Sequence, residues 1–192
     1  MKSSLAVTGD PEADHLLNTD PLALLIGMQL DQQVPMEWAF VAPYRLKERL
    51  GGELDAGKIA AMDPVAFEEI FKQKPGLHRF PGAMGKRVYA LCQHIVENYD
   101  GDAARIWKGA ETGQELFTRL KALPGYGDEK AKIFLALLAK RLGEAPPGWE
   151  QYAGPFADET PRSVADIDSA EALARVREFK KAKRAEGKGK QD

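Results

Sequence analysis

A short turn with the sequence Leu-Pro-Gly-Tyr-Gly occupies residues 123–127, between two stretches in which apolar residues recur with helical spacing. Gly125 and Gly127 allow the backbone to take positive φ and let another molecule approach closely. The amides that open the second helix have no partner inside that helix, and the helix dipole adds partial positive charge to them. Lys130 and Lys132 follow in the first turns of this helix. The pattern predicts a site for an anion such as a phosphate group.

Two amphipathic helices must position this turn. Because the connection between them is so short, they must pack against each other as a hairpin. An ordinary helical hairpin with a glycine turn would show the same pattern, so the rest of the chain has to separate the two interpretations. The apolar residues concerned are Leu116, Phe117 and Leu120 before the turn and Ala131, Ile133, Phe134, Leu137 and Leu138 after it.

The composition is that of a globular protein. The chain has 192 residues, of which 44% are hydrophobic and 29% charged. No apolar run approaches the roughly 20 residues that span a membrane, and residues 1–13 contain acids and a proline rather than the apolar core of a secretory signal. We therefore expect a cytoplasmic protein with no membrane association. Cys92 is the single cysteine, which excludes an internal disulfide and a cysteine cage for zinc or iron–sulfur.

The formal net charge of -2 argues against a chain that coats nucleic acid indiscriminately, but the charges are unevenly distributed. No acid occurs between Glu69 and Glu97 or between Glu129 and Glu144. Two acid-free basic windows are what a local phosphate-binding face would leave in a sequence. Chance clustering on solvated helix faces is the alternative. The basic residues are Lys72, Lys74, Arg79, Lys86 and Arg87 in the first window and Lys130, Lys132, Lys140 and Arg141 in the second.

The rest of the chain predicts an all-α fold. Asp-Pro pairs at residues 10–11, 20–21 and 63–64 each provide an N-cap followed by proline at the first helical position. The helix that begins at residue 21 is apolar nearly all round, as a central core helix would be, and Pro35 ends it. Gln32 and Gln33 therefore lie at the end of a buried helix, where long amide side chains can project outward.

These features resemble the helix-hairpin-helix base-excision DNA glycosylases. The turn matches their form Leu-Pro-Gly-x-Gly-x-x-x-Ala, and residues 30–33 match the Leu-x-x-Gln or Leu-Gln-Gln segment of the endonuclease III and adenine glycosylase types. The resemblance spans roughly residues 21–142 and implies a helical barrel domain that binds double-stranded DNA, with Gln33 filling the space left by a flipped nucleotide. The DNA-binding residues it implies are Gln32, Gln33, Lys86, Arg87, Gly125, Tyr126, Gly127, Lys130 and Lys132.

The resemblance fails at the residue that bifunctional members use as a nucleophile. Their lysine attacks the sugar and forms a Schiff base, and the matching position here is Glu129, with Lys130 one residue later. One residue turns a side chain by about 100° around a helix. A neighbouring carboxylate also favours the ammonium form of a lysine, which is not nucleophilic. We therefore expect no lyase activity.

The family's other essential group is an aspartate after the hairpin helix, which stabilises the developing oxocarbenium charge or activates water. Asp166 is the nearest match and Asp158 the other one, although Asp166 also fits an ordinary helix-start box. The candidate catalytic residues are thus Asp166, Asp158, Glu129 and Lys130. The resemblance allows a monovalent cation at the hairpin, whereas one cysteine cannot hold an iron–sulfur cluster and no other metal site is expected.

Two functions from different classes remain. One is a monofunctional DNA N-glycosylase of base-excision repair, and the other is a non-catalytic module that recognises damaged or distorted DNA. We expect a monomer with an N-terminal segment (residues 1–20), a glycosylase-like helical domain (21–143), a connector with a C-terminal helix (144–180) and a basic, disordered tail (181–192). A helical protein-interaction domain is a third interpretation, which requires both basic windows to be accidental.

Overall fold

Helices make up the structure, a computed structural model that describes residues 4–192. Over this range no β-strand occurs, so the all-α prediction is confirmed. Among the helices of the described range, none is both long and apolar enough to cross a membrane. The helices are α1 (Pro11–Thr19), α2 (Pro21–Leu30), α3 (Met36–Arg49), α4 (Ala56–Ala61), α5 (Pro64–Lys72), α6 (Pro81–Tyr99), α7 (Gly113–Lys121), α8 (Asp128–Leu137), α9 (Trp149–Ala153) and α10 (Ala170–Ala185), with 3₁₀ turns at Ala103–Ile106, Gly154–Ala157 and Val164–Asp166 and a π turn at Leu138–Leu142.

The three Asp-Pro pairs begin α1, α2 and α5 as predicted. In each case the aspartate is the N-cap and its side chain accepts hydrogen bonds from amides of the first turn. The Oδ1 atom of Asp20, for example, lies 2.9 Å from the amide nitrogen of Leu22 and 3.1 Å from that of Ala23. Such a cap satisfies donors that the helix itself leaves unpaired, so it marks the helix start locally.

Contacts divide the chain into two units. The N-terminal unit consists of Asp10–Ile106 with Leu123–Gly125. Its centre is α2, in which every residue from Leu22 to Leu30 is buried. Helix α2 packs on α1, α3 and α6, and α6 in turn packs on α4 and α5. The prediction that α2 is a central core helix is confirmed.

The C-terminal unit consists of residues 4–9, Trp107–Ala122 and Tyr126–Asp192. Its helices α7 and α8 pack against each other, which confirms the predicted hairpin. Helix α8 also contacts α9 and the 3₁₀ turns at Gly154–Ala157 and Val164–Asp166. Both hairpin helices therefore group with the C-terminal segment, whereas the sequence analysis places them in one domain with residues 21–106. The reason is that the apolar residues of α8 are covered by these later elements.

The end of the chain is folded over the range that the structure describes. Helix α10 runs to Ala185, so residues 181–185 are helical rather than part of a disordered tail. After it, the amide of Gly189 donates to Asp192 Oδ2 at 2.7 Å, and Arg162 Nη1 donates to the backbone oxygen of Asp192 at 2.9 Å. The first bond is local, whereas the second joins residues 30 apart in the chain and could not be predicted from the sequence.

Candidate functional site

The two glycines of the hairpin turn have different roles. Gly125 takes φ +79°, the left-handed region that favours glycine, and a Cβ atom there would lie 3.3 Å from both Cγ and Nε2 of Gln29. Gly127 is the N-cap of α8 with φ -84°, so the expectation of positive φ is correct for Gly125 and wrong for Gly127. Apart from its chain neighbours, no heavy atom of residues 4–192 lies within 4 Å of the Cβ position at Gly127. The backbone at Gly127 is therefore open to an approaching group.

The first turn of α8 begins without a side-chain cap, because Gly127 has no side chain. Asp128 would oppose an anion there, but its carboxylate lies 2.8 Å from Lys132 Nζ and 3.5 Å from Lys121 Nζ. The hydrogen bond from Lys132 lowers the pKa of Asp128 below its ordinary value. These ion pairs offset the negative charge of Asp128 at this helix end.

Glu129 was predicted from the sequence as a candidate catalytic residue of the first turn of α8. Its Oε1 atom lies 3.5 Å from Lys190 Nζ, and its Oε2 atom accepts a hydrogen bond from Gln191 Nε2 at 3.2 Å. Glu129 thus bonds to residues that follow α10. Lys130, the next residue, is half-buried in the same turn.

Tyr126 belongs to the set of predicted DNA-binding residues, but its side chain is part of the core. It is only 5% exposed, and its ring meets Phe134 edge-on with 5.9 Å between ring centroids. Burial raises the pKa of the Tyr126 phenol well above its ordinary value. The ring packs on α8, so the tyrosine side chain is not presented to a ligand, and only its backbone can take part in binding.

Gln29 is a site residue that the sequence analysis missed. It is completely buried, and its Nε2 atom donates to the backbone oxygens of Arg87 at 3.0 Å and Pro124 at 2.7 Å. One amide nitrogen carries two hydrogens, which matches two acceptors. A lone amide within the apolar helix α2 was the available signal, because a buried polar group needs partners. Gln29 connects three segments of the N-terminal unit: the end of α2, the start of α6 and the hairpin turn.

His78 fixes the loop that follows α2. Its ring is 2% exposed, with Nε2 at 3.1 Å from the backbone oxygens of both Leu30 and Gln32. The amide of Phe80 donates to Nδ1 at 3.1 Å. Since Nδ1 accepts a hydrogen bond and Nε2 faces two acceptors, we assign the neutral tautomer with the proton on Nε2. His78 is thus a hydrogen-bonding residue of this loop.

Gln32 and Gln33, the two glutamines of this loop, differ in their exposure to solvent. Gln32 is partly buried, and its Nε2 atom lies 3.9 Å from the sulfur of Met84. Gln33 is exposed and has φ +58°, a left-handed conformation that costs a residue with a Cβ atom free energy. Within the loop held by His78, Gln33 is the glutamine whose side chain reaches solvent.

Lys140 and Arg141, two residues of the second basic window, form ion pairs within the C-terminal unit. Lys140 Nζ lies 2.6 Å from Asp166 Oδ1, and Arg141 Nη1 lies 3.2 Å from Asp168 Oδ2. The two basic side chains are only 12% and 13% exposed. Lys140 and Arg141 are therefore not part of a phosphate-binding face, and the clustering that the sequence shows has a structural cause. In the first window, Lys86 Nζ lies 3.8 Å from Glu68 Oε2, but the Lys86 side chain remains 73% exposed.

Asp166 forms the helix-start box that the sequence analysis considered. Its Oδ2 atom accepts hydrogen bonds from the amides of Arg162 and Ser163, both at 3.0 Å, while the Ser163 hydroxyl caps the same 3₁₀ turn. Together with Lys140 on Oδ1, these donors engage both carboxylate oxygens. Asp166 nevertheless lines a polar cavity of about 620 Å³, whose wall also includes Trp149 and Asp168.

Asp158 and Asp166 share two hydrogen-bonding partners, Lys140 and Arg162. Lys140 Nζ donates to the backbone oxygen of Asp158 at 2.5 Å, and Arg162 Nη2 lies 3.1 Å from its carboxylate. Partial desolvation raises the pKa of Asp158, but hydrogen bonds from Arg162 and Thr160 outweigh it, so the pKa is lowered overall. The structure thus gathers Asp158 and Asp166 around one lysine and one arginine that were not predicted as site residues.

The candidate residues fall into separate places in the two units. Gln32, Gln33 and the turn Leu123–Gly125 belong to the N-terminal unit, and Asp158, Asp166 and the first turn of α8 belong to the C-terminal unit. No protein-family model, curated protein or solved structure matches the chain.

Proposed function

We propose that this chain binds duplex DNA through the turn between α7 and α8, in the manner of helix-hairpin-helix proteins. One observation carries the proposal: the buried amide of Gln29 bonds to Pro124 in the turn and to Arg87 at the exposed basic start of α6. The sequence analysis assigns the hairpin turn, the basic start of α6 and the end of α2 to DNA binding on separate grounds. All three segments meet at the side chain of Gln29, which supports their acting together in DNA binding.

The bonds of Gln29 also supply rigidity. Arg87 lies inside α6, where its backbone oxygen also accepts the helical bond from residue 91. Loss of the Gln29 amide would therefore leave the backbone oxygen of Pro124 without this donor, at a cost of about 1–3 kcal/mol. The turn therefore keeps its conformation before a ligand arrives. Preorganisation of this kind lowers the entropic cost of binding.

On this proposal the open backbone at Gly127 and the first amides of α8 receive a phosphate group. Lys130 adds positive charge, Lys132 neutralises Asp128 in the same turn, and Lys86 and Arg87 contact the backbone elsewhere on the duplex. Gln33, exposed on a loop fixed by His78, enters the base stack. These roles predict binding that weakens steeply with salt, because each neutralised phosphate releases counterions.

As the reaction we propose hydrolysis of an N-glycosidic bond without a Schiff base. Water oxygen bonds to C1′ of the deoxyribose, the bond from C1′ to the base nitrogen breaks, and the base leaves with the bonding electrons. A carboxylate takes the water proton and stabilises the positive charge that develops on the sugar. Asp166 is the supported choice, because it lines a cavity whose wall also includes Trp149.

A non-catalytic DNA-binding module is the second candidate, and one observation favours it. Both carboxylate oxygens of Asp166 already accept hydrogen bonds, from Lys140 and from the amides of Arg162 and Ser163. A carboxylate in that state has less capacity to take a proton from water. The two candidates share the same DNA interface and differ only in base release.

DNA binding is tested with Gly127→Asp and its neutral isostere Gly127→Asn. Both side chains are good N-caps and have room at this position, so both variants should fold. The aspartate adds a negative charge where a phosphate should lie, which at contact distance costs about 1–4 kcal/mol. We expect the Asp variant to bind a labelled duplex at least about tenfold more weakly than the Asn variant, measured by fluorescence anisotropy. Equal affinities would show that the turn is only structural.

Catalysis is tested by base release from a panel of lesion-bearing duplexes, with borohydride present in parallel samples. We expect release by the wild type, loss of release in Asp166→Asn, and retention in the control Asp168→Asn, which changes another carboxylate of the same cavity. No borohydride-trapped adduct should form. An adduct that disappears in Lys130→Gln would establish a bifunctional enzyme instead. Binding without release on every lesion would identify the non-catalytic module.

A further inference from the structure

A groove lined almost entirely by cationic side chains lies in the C-terminal unit. Its volume is about 230 Å³. Lys180, Lys183 and Arg184 follow the i, i+3, i+4 spacing that places residues on one face of a helix, here α10. Residues after α10 add Lys188 and Lys190, and Glu129 is the acid of the lining.

The wall formed by the end of the chain is held in place by specific bonds. Arg162 Nη1 donates to the backbone oxygens of Lys190 at 3.3 Å and Asp192 at 2.9 Å. The amide of Gly189 donates to Asp192 Oδ2 at 2.7 Å. Lys190 Nζ lies 3.5 Å from Glu129 Oε1, which ties this wall to the first turn of α8. The groove is thus a formed feature and not a run of charge on an extended tail.

The charge of the groove is not balanced by its lining. Five basic side chains face one carboxylate, in a chain whose formal net charge is -2. Lys188 pairs with Glu186 at 3.2 Å and Lys190 pairs with Glu129 at 3.5 Å, but these lysine side chains remain 54% and 33% exposed. Lys140 and Arg141 differ in that their ion pairs leave them only 12% and 13% exposed. A surface with this excess of positive charge attracts a polyanion, and DNA carries one negative charge per about 1.7 Å of duplex length.

We propose that this groove binds the phosphate backbone of DNA and extends the interface beyond the hairpin turn. Glu129 places one end of the groove at the first turn of α8, the turn that receives a phosphate in the proposed function. The backbone that leaves this turn passes along α10 and contacts Lys183 and Lys188. The inference rests on the proposed function, since it takes the same duplex as the ligand.

The test compares Lys183→Glu with Lys188→Glu, made together, against Arg177→Glu with Lys181→Glu. Arg177 and Lys181 lie on α10, as Lys183 does, and both are exposed. Their charge reversal changes the net charge by the same amount, but neither residue lines the groove. Affinity for a labelled duplex is measured between about 50 and 200 mM salt. We expect the groove variant to bind at least about tenfold more weakly than the control variant, and the slope of log affinity against log salt to fall by about two units.

Duplex length provides a second readout. If the backbone continues along α10, wild-type affinity should rise as the duplex is lengthened past the hairpin site, and the groove variant should lose that increase. Thermal unfolding confirms that both variants are folded. Equal losses in the two charge-reversal variants, or no loss in either, would overturn the inference.

The hairpin variants of the previous subsection separate this inference from the proposed function. If Gly127→Asp weakens binding while the groove variant binds like the wild type, the groove inference fails and the hairpin proposal stands. If the groove variant loses DNA while Gly127→Asp keeps it, the groove binds DNA and the hairpin proposal fails. If neither changes affinity, both are wrong.

Discussion

Replacing each glycine of the hairpin turn by alanine should give opposite results for stability. At Gly125, alanine in the left-handed region costs about 1–2 kcal/mol. Its Cβ atom would also lie 3.3 Å from Gln29, so the buried amide must shift and weaken its bonds to Arg87 and Pro124, which adds about 1 kcal/mol. Reduced freedom of the unfolded chain returns about 0.5 kcal/mol. We expect Gly125→Ala to lower the free energy of unfolding by about 1.5–2.5 kcal/mol.

At Gly127 the same substitution meets no obstacle. The backbone has φ -84° and ψ -175°, which alanine adopts readily, and the Cβ position is open among residues 4–192. Alanine is a poorer N-cap than glycine, but the loss is offset by the reduced freedom of the unfolded chain. We expect Gly127→Ala to change the free energy of unfolding by less than about 0.5 kcal/mol.

The assay is urea unfolding followed by far-UV circular dichroism, with thermal unfolding as a second measure. For a chain of 192 residues, the loss at Gly125 corresponds to a fall in Tm of about 3–10 °C. The variant Gln29→Ala combined with Gly125→Ala should lose less than the sum of the two single changes, because the steric conflict is gone. The reasoning is refuted if Gly125→Ala is as stable as the wild type, or if both glycine variants lose the same free energy.

Two further predictions concern groups inside the protein. Lys140→Met should cost about 3–5 kcal/mol in urea unfolding, because it leaves the Asp166 carboxylate without its charged partner in a site where both side chains are largely buried; a loss below about 1 kcal/mol would mean that the pair is solvated. Burial raises the pKa of the Cys92 thiol from 9.0 to about 12. Between pH 9.0 and about pH 12 the thiol is therefore protonated in the folded state and deprotonated in the unfolded state. The free energy of unfolding falls as the pH rises through this range, because the unfolded state binds fewer protons. Cys92→Ala should reduce the loss of stability at alkaline pH. In the wild type, the thiol should react with a thiol reagent at about pH 8 only after unfolding, and rapid labelling of the native protein would contradict the burial of Cys92.

Features that depend on neighbours in the chain could be predicted from the amino-acid sequence. Asp20 caps α2 because its carboxylate reaches amides two and three residues ahead. The hairpin follows from apolar spacing on both sides of a short turn, and the apolar character of α2 predicted its burial. Each of these is a local interaction or a periodicity, so it can be predicted without knowing which distant residues meet.

The partners of the polar residues, in contrast, depend on how distant segments pack in the folded chain. Gly125 and Gly127 look equivalent in the sequence, yet Gln29 crowds one and the other is open, because α2 and the turn meet in the N-terminal unit. Lys140 belongs to a basic window in the sequence, but in the structure it forms an ion pair with Asp166, which lies 26 residues away in the chain. Hydrogen bonds and ion pairs act over a few ångströms in space and leave no periodicity in the chain. Which donor meets which acceptor is therefore set by packing, and the sequence pattern alone did not contain it.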